Sequence, residues 1–181
     1  MKLLKNFLIL VIVLIILALA NWRYLGGFAT LEVKEQNMGP YTIAYMNFVG
    51  EYSKVWPAMT TVYTTLSGAG ITSFTGIGIY YDDPAVVSWA DLRSDIGALV
   101  APEDMAKVPQ TGDIKTKTIP STKSIVIEFP LKSSISYMAG VIKVYPVLEK
   151  YMLEKGYKME VSMTELYDMA GKKIYYIAEI K

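Results

Sequence analysis

Apolar and polar positions change their rhythm at about residue 30. From Phe7 to Ala20, 14 consecutive residues are apolar. As a helix this run is about 21 Å long, short of the ~30 Å hydrocarbon core of a bilayer. Extending it from Lys5 to Tyr24 gives about 30 Å, with Lys5 snorkelling at one interface and Trp22 and Tyr24 at the other. The pattern predicts a transmembrane anchor. A cleaved signal peptide is the alternative, with Lys2 and Lys5 as its basic region and Ala18-Leu19-Ala20 as its cleavage site. Lys2, Lys5 and the terminal amine outweigh the single Arg23 after the run. This predicts a cytoplasmic N-terminus and an extracytoplasmic body. Gly26–Thr30 reads as a short linker.

The body, from Leu31 to Lys181, carries two similar units. Tyr41–Phe48 reads as a strand. In Glu51–Leu66, residues Tyr52, Val55, Trp56, Met59, Val62, Tyr63 and Leu66 recur at helical spacing. Gly76–Tyr81 and Arg93–Val100 read as strands around a solvated Asp82-Asp83-Pro84 turn. Ala101–Asp113 reads as a loop. Ser124–Phe129 then opens the second unit, and Ile135–Lys155 is helical through Met138, Val141, Ile142, Tyr145, Leu148 and Met152. Pro146 should kink that helix or restart it, and Gly156 caps it. Met163–Asp168 and Lys173–Ile180 close the chain as strands. Lys54-Val55-Trp56-Pro57 matches Lys143-Val144-Tyr145-Pro146, which supports a duplication. The predicted fold is α+β: duplicated strand-helix-strand-strand units form an antiparallel sheet with both helices on one face.

Composition narrows the chemistry. The 181 residues include no histidine and no cysteine. That excludes a Ser-His-Asp triad, thiolate catalysis and His or Cys metal sites. Net charge is +1. Lys2, Lys5 and Arg23 all precede residue 31 and no acid does, so the body is mildly acidic and has no electrostatic hold on nucleic acid. No cofactor or metal is expected. The 14 Tyr, 10 Met and 3 Trp suit a pocket for apolar ligands.

Few residues stand out as chemistry. Gly76-Ile77-Gly78 lacks the third glycine and the following helix of a dinucleotide site, so close approach by a helix or ligand is the better reading. Thr72, Ser73 and Thr75 read as loop. On the first helix, Val55, Val62 and Leu66 are ordinary core, whereas Tyr52, Trp56 and Met59 also suit a pocket wall. Alternation puts Met163, Glu165 and Tyr167 on one strand face. If that face is inner, Glu165 is a buried carboxylate with a raised pKa, suited to cation binding or acid–base work. If it is outer, Glu165 is a surface residue.

Five stretches carry a resemblance: Gly39-Pro40-Tyr41, Val49-Gly50-Glu51-Tyr52, Gly78-Ile79-Tyr80-Tyr81-Asp82-Asp83-Pro84, Leu92-Arg93-Ser94-Asp95-Ile96-Gly97 and Glu165-Leu166-Tyr167. Over the whole body they resemble the GyrI-like small-molecule-binding domains, which include effector-binding halves of multidrug-sensing regulators. The membrane segment with Val144-Tyr145-Pro146 resembles a membrane-anchored animal branch that acts in reticulophagy. That role depends on a disordered tail after the last strand. The sequence ends at Lys181 without one, so the role is not expected here. The resemblance implies a ligand cleft between two pseudo-symmetric repeats. It places Glu165 at the floor against cationic aromatic ligands, with Gly78 in the matching place of the first repeat. It also implies, for members resembling hydrolases, that Glu165 works with Tyr167 or Tyr80. No helix-turn-helix accompanies the domain. The expected function is binding of an amphipathic, cationic or aromatic small molecule by Glu165, Tyr167, Tyr80, Tyr52, Trp56, Met59 and Tyr145. A hydrolase using Glu165 and a tyrosine, and a scaffold that recruits a protein partner, are the alternatives.

Overall fold

The computed structural model describes residues 2–72, 75–109, 112–158 and 162–180; Ser73, read above as loop, lies outside them. The elements are α1 (Lys2–Tyr24), β1 (Val33–Met38), β2 (Tyr41–Val49), α2 (Trp56–Gly68), β3 (Gly76–Tyr80), β4 (Arg93–Leu99), β5 (Lys115–Ile119), β6 (Thr122–Pro130), α3 (Ile135–Lys155), β7 (Met163–Asp168) and β8 (Lys173–Glu179). Short 3-10 segments lie at Tyr52–Lys54 and Pro102–Lys107. The fold is the α+β arrangement the patterning predicts. Helix α2 starts at Trp56 rather than Glu51, because Pro57 fits a first helical turn. Helix α3 is assigned as one helix through Pro146.

The strands form one antiparallel sheet in the order β1-β6-β8-β7-β3-β4-β2-β5. A pseudo-twofold axis falls between β3 and β7, where Gly78 stands opposite Glu165. On one side of it β7, β8 and β6 follow in order; on the other, β3, β4 and β2. One face runs continuously across the register through Met46, Ile96, Gly78, Glu165, Tyr176 and Ile127. Both helices pack on that face. Helix α2 buries Val62 and Leu66 against Ala44 and Ala98, and α3 buries Ala139, Val144, Leu148 and Met152 against Ile125, Ile127, Phe129 and Ile174.

Strands β1 (VKEQNM) and β5 (KTKTI) are absent from the sequence expectation. They lack apolar alternation because each is an edge strand, and polar residues there discourage pairing with another chain. They also exchange sides. Strand β1 bonds to β6 and β5 to β2, so each repeat is completed by a strand linked to the other. Only Gly39-Pro40 joins β1 to β2, and only Pro120-Ser121 joins β5 to β6, yet each pair lies at opposite ends of the order. The sheet therefore curls until its ends meet. The two crossovers touch: a Cβ on Gly39 would stand 3.1 Å from the Pro120 carbonyl. Ile43, Ile77, Ile79, Val126, Leu166 and Ile177 fill the inside of the curl.

Charge pins each exchanged strand. Glu35 of β1 pairs with Lys123 at 2.8 Å and accepts hydrogen bonds from Tyr151 and Tyr157 of the α3 end. Lys117 of β5 donates to buried Asp95 at 2.5 Å, and Lys115 donates to Asn47. Asp82, expected in a solvated turn, is instead gripped by the backbone N–H and guanidinium of Arg93. The Gly26–Thr30 segment is likewise no free linker. Gly26 takes φ +86°, a conformation costly for any residue with a Cβ. Gly26 N–H then bonds to the Arg23 carbonyl and Gly27 N–H to the Trp22 carbonyl, closing α1. Leu25, Gly26 and Gly27 are buried, Gly26 lies against Pro130 and Phe129, and Lys143 donates to the Ala29 carbonyl at 2.8 Å.

Where β2 pairs with β4 there is no room for a side chain at Gly97: a Cβ there would stand 1.9 Å from the Ala44 carbonyl oxygen. Backbone cannot yield there. Gly97→Ala is expected to destabilise the fold by at least about 2 kcal/mol, whereas Gly68→Ala, with open space at its Cβ position, should stabilise by up to about 1 kcal/mol. Urea unfolding of both variants in detergent measures the contrast.

Candidate functional site

The space between α2 and α3 lies over β3 and β7, and its floor is Glu165. This side chain is 5% exposed. Tyr145 of α3 donates to its Oε1 at 2.9 Å, and Tyr167 of β7 to its Oε2 at 2.9 Å. Tyr80 and Tyr167 share a hydroxyl–hydroxyl bond of 2.8 Å. With Tyr167 donating to the carboxylate, its oxygen must accept from Tyr80. The result is a directed chain from Tyr80 through Tyr167 to Glu165, joined from the other side by Tyr145.

Local sequence makes room for these phenols. Tyr80 and Tyr167 occupy equivalent places about the pseudo-twofold, and their rings lean toward the axis. A Cβ on Gly78 would stand 2.7 Å from the Tyr80 hydroxyl, and one on Gly76 would stand 2.1 Å from the hydroxyl of Tyr63. The Gly-Ile-Gly run is thus an aperture for tyrosines, in keeping with close approach by a helix. Tyr52 packs edge-on against Tyr80 at 4.8 Å, Tyr137 against Tyr167 at 5.4 Å, and Tyr145 against Tyr176 at 6.0 Å. Tyr52 is held by the Asp82 backbone, accepting from its N–H and donating to its carbonyl.

Of the seven residues singled out by sequence, six converge. Glu165, Tyr80, Tyr167 and Tyr145 are hydrogen-bonded together, Tyr52 braces Tyr80, and Met59 is buried in the same apolar cluster. Trp56 does not join them. It is 59% exposed on the first turn of α2, two turns from Tyr63 and so on the same flank as that residue. Three members were missed: Tyr63, Tyr137 and Tyr176. The signal for Tyr137 was its spacing of four and eight from Val141 and Tyr145. For Tyr176 it was the alternation Ile174, Tyr176, Ala178 on the strand paired with Glu165. Two surface hollows of about 440 and 350 Å³ share no residue with the Glu165–tyrosine cluster; here tyrosine rings occupy the interhelical space.

Electrostatics set the character of the site. Burial pushes the Glu165 carboxyl up to about 7, and hydrogen bonds from Tyr145 and Tyr167 only partly oppose it. Desolvation wins because no Lys or Arg forms an ion pair with Glu165 among the described residues. Burial also raises Tyr80, Tyr145 and Tyr167, and the Glu165 charge adds to it. The phenols therefore stay neutral donors. The Tyr176 hydroxyl is buried without a partner among the described residues, an arrangement that costs roughly 1–3 kcal/mol. No cluster of three or more metal-ligating side chains occurs among the described residues.

The body has a curled two-repeat antiparallel fold shared with several solved structures. It is similar to the C-terminal domain of EcmrR, with a TM-score of 0.58 and 11% identity over 83% of this chain and 98% of that one. It is also similar to an integron cassette protein from the mobile metagenome of Vibrio cholerae, with a TM-score of 0.52 and 10% identity over 84% and 97% of the two chains. An uncharacterized conserved protein from Listeria innocua gives a TM-score of 0.55 and 9% identity over 83% and 92%. These likenesses are consistent with the expected GyrI-like fold. No protein-family model and no curated protein matches the sequence.

The raised carboxyl has a stability consequence. Below about 4.5 both folded and unfolded Glu165 are protonated. Between about 4.5 and 7 only the folded chain keeps the proton, so stability falls as pH rises, by about 3 kcal/mol in total. Above 7 both are ionised and this loss is constant. Glu165→Gln lacks the proton and should not show that fall. Denaturant unfolding of the two proteins from pH 4 to pH 8 should show their difference shifting in favour of the variant.

Proposed function

We propose that this is a membrane-tethered GyrI-like domain that binds amphipathic, cationic aromatic molecules between α2 and α3. The observation that carries the reading is Glu165: a buried carboxylate with tyrosine donors and no cation paired with it among the described residues. An unpaired buried charge is costly, and a cationic ligand supplies the missing partner. Tyr52, Tyr63, Tyr80, Tyr137, Tyr145 and Tyr167 offer rings around it. Cation–π contacts are worth ~0.5–2 kcal/mol each. The ligand enters past Trp56 and Val141 on the facing helix flanks and displaces the Tyr145 and Tyr167 hydroxyls from the carboxylate.

The tether is α1, which is long and apolar enough to cross a membrane. Lys2, Lys5 and the terminal amine before the apolar run, against Arg23 after it, favour a cytoplasmic N-terminus with the body on the other side. Protein retained in membranes after carbonate washing, with an intact mass that includes residues 1–20, supports the anchor. A mature chain starting at Asn21 shows cleavage instead.

Binding and protonation are linked at one atom pair. Below pH 7 a cation must expel the Glu165 proton. Affinity for 1-methylquinolinium should therefore rise about tenfold per pH unit up to about 7 and then level. The neutral isostere 1-methylnaphthalene should show no such dependence. Glu165→Gln should cost the cation roughly 2–5 kcal/mol and the neutral molecule much less. Calorimetric titration of both ligands against both proteins measures these terms; equal losses would reduce the site to apolar packing. A second reading, hydrolysis, draws on the same carboxyl, since a group near 7 can act as acid or base. Turnover of a bound ester or epoxide, lost in Glu165→Gln, would favour it.

A further inference from the structure

Helix α3 is 21 residues long and α2 is 13. Aligning Lys143-Val144-Tyr145-Pro146 with Lys54-Val55-Trp56-Pro57 leaves Ile135–Gly140 with no helical counterpart in the first repeat and sets Val141-Ile142 against the 3-10 turn at Tyr52–Lys54. These added turns are unusual on their outer side. Ile135, Met138 and Ile142 are 51%, 67% and 58% exposed. Their spacing of three and seven puts them on one stripe, with half-covered Val141 beside it. Farther along, the same helix presents Glu149, Lys150, Glu154 and Lys155 to solvent. The outer face of α2 carries Thr60, Thr61 and Thr64. Three exposed apolar side chains in succession thus occur in the extra turns, whereas farther along α3 only Leu153 (64% exposed) interrupts the charged residues and on α2 only Trp56 precedes the threonines.

These turns also lie next to the anchor. Gly26 follows α1 by two residues and rests on Pro130 and Phe129, at the end of the strand leading into α3. Lys143, one residue past Ile142, holds the Ala29 carbonyl. Trp22 packs against the core that α3 covers. If α1 spans a bilayer with Trp22 and Tyr24 at its interface, the residues touching Gly26–Ala29 sit at headgroup depth. The strand leading into α3, and Lys143 at its middle, are thereby tied to the chain just after α1.

We propose that the Ile135–Met138–Ile142 stripe of α3 lies in the bilayer interface, as a second, monotopic contact that fixes the tilt of the body on the membrane. The inference rests on the anchor reading of α1. Exposed Lys132 precedes the stripe, as cations border interfacial helices, whose apolar faces bury ~5–10 Å into the headgroup–acyl boundary. A solvent-facing stripe of this kind would otherwise be an exposed apolar patch beside the membrane.

The chain has no cysteine, so single cysteines report without background. The full chain would be reconstituted in phosphatidylcholine nanodiscs as Met138→Cys, Ile142→Cys, Leu10→Cys and Thr61→Cys, each labelled with an environment-sensitive fluorophore. All four side chains are exposed, so the labels do not disturb packing. With shallow spin-labelled lipid, positions 138 and 142 should be blue-shifted and quenched by about twofold or more relative to position 61, as for an interfacial helix. Quenching at 10 but not at 138 or 142 overturns the proposal and leaves the anchor standing. No quenching at 10 overturns the anchor reading and the proposal together. Blue shift at 138 and 142 without quenching means that a protein or ligand covers the stripe, which also overturns it.

Discussion

The structure turns on one unbalanced charge. Glu165 is buried deeply enough that desolvation outweighs two hydrogen bonds and raises its carboxyl to about 7. What surrounds it follows from that imbalance. Its donors are phenols, which hydrogen-bond without neutralising, so the site stays short of a cation. Phenols are long, and they reach a common point only if backbone beneath them is bare. Gly76 and Gly78 supply this in β3. In α3, Gly140 makes the same allowance for Tyr176, whose hydroxyl would stand 2.1 Å from a Cβ there. The glycines, the helix spacing and the tyrosine rotamers are one solution to holding a carboxylate dry but responsive.

The duplication supplies symmetry and the functional features break it. Glu165 faces Gly78 across the axis, so the acid is single and its partner position is vacated to admit Tyr80. Helix α3 exceeds α2 by two turns, and the second repeat meets the chain just after α1 at Phe129, Pro130 and Lys143. Tyr80 and Tyr167 keep the symmetry and bond to each other at its centre. A symmetric frame thus carries an asymmetric load: charge from one repeat, room from the other, and contact with the end of α1 on the side that supplies the charge.

Local pattern made much of this legible. Six strands, both body helices and the shared helix face followed from alternation, helical spacing and the repeated Lys-Val-aromatic-Pro. The inner placement of Glu165 needed more than alternation, because Met163, Glu165 and Tyr167 read equally as a wet face; the resemblance tipped it. Strands β1 and β5 were missed since edge position removes the apolar rhythm on which strand reading depends. Trp56 was placed in the wall by a period counted from Glu51, but the helix begins at Trp56, and a first-turn residue has less body beside it. The segment after Tyr24 looked like a spacer because two glycines suggest slack. They are there to let chain and core touch.

The exchange of β1 and β5 between repeats has a consequence for how the chain is made. Val33 pairs with Ile127, so β1 leaves the ribosome about 90 residues before its partner exists. At ~5–20 residues per second this strand waits on the order of 5–20 s, already next to the apolar N-terminal helix. The first repeat cannot close early either, since the outer edge of β2 awaits β5. A nascent chain halted before residue 122 would thus present β1 unpaired. The charges on β1, Lys34 and Glu35, guard it through that interval before they become ligands of the finished fold.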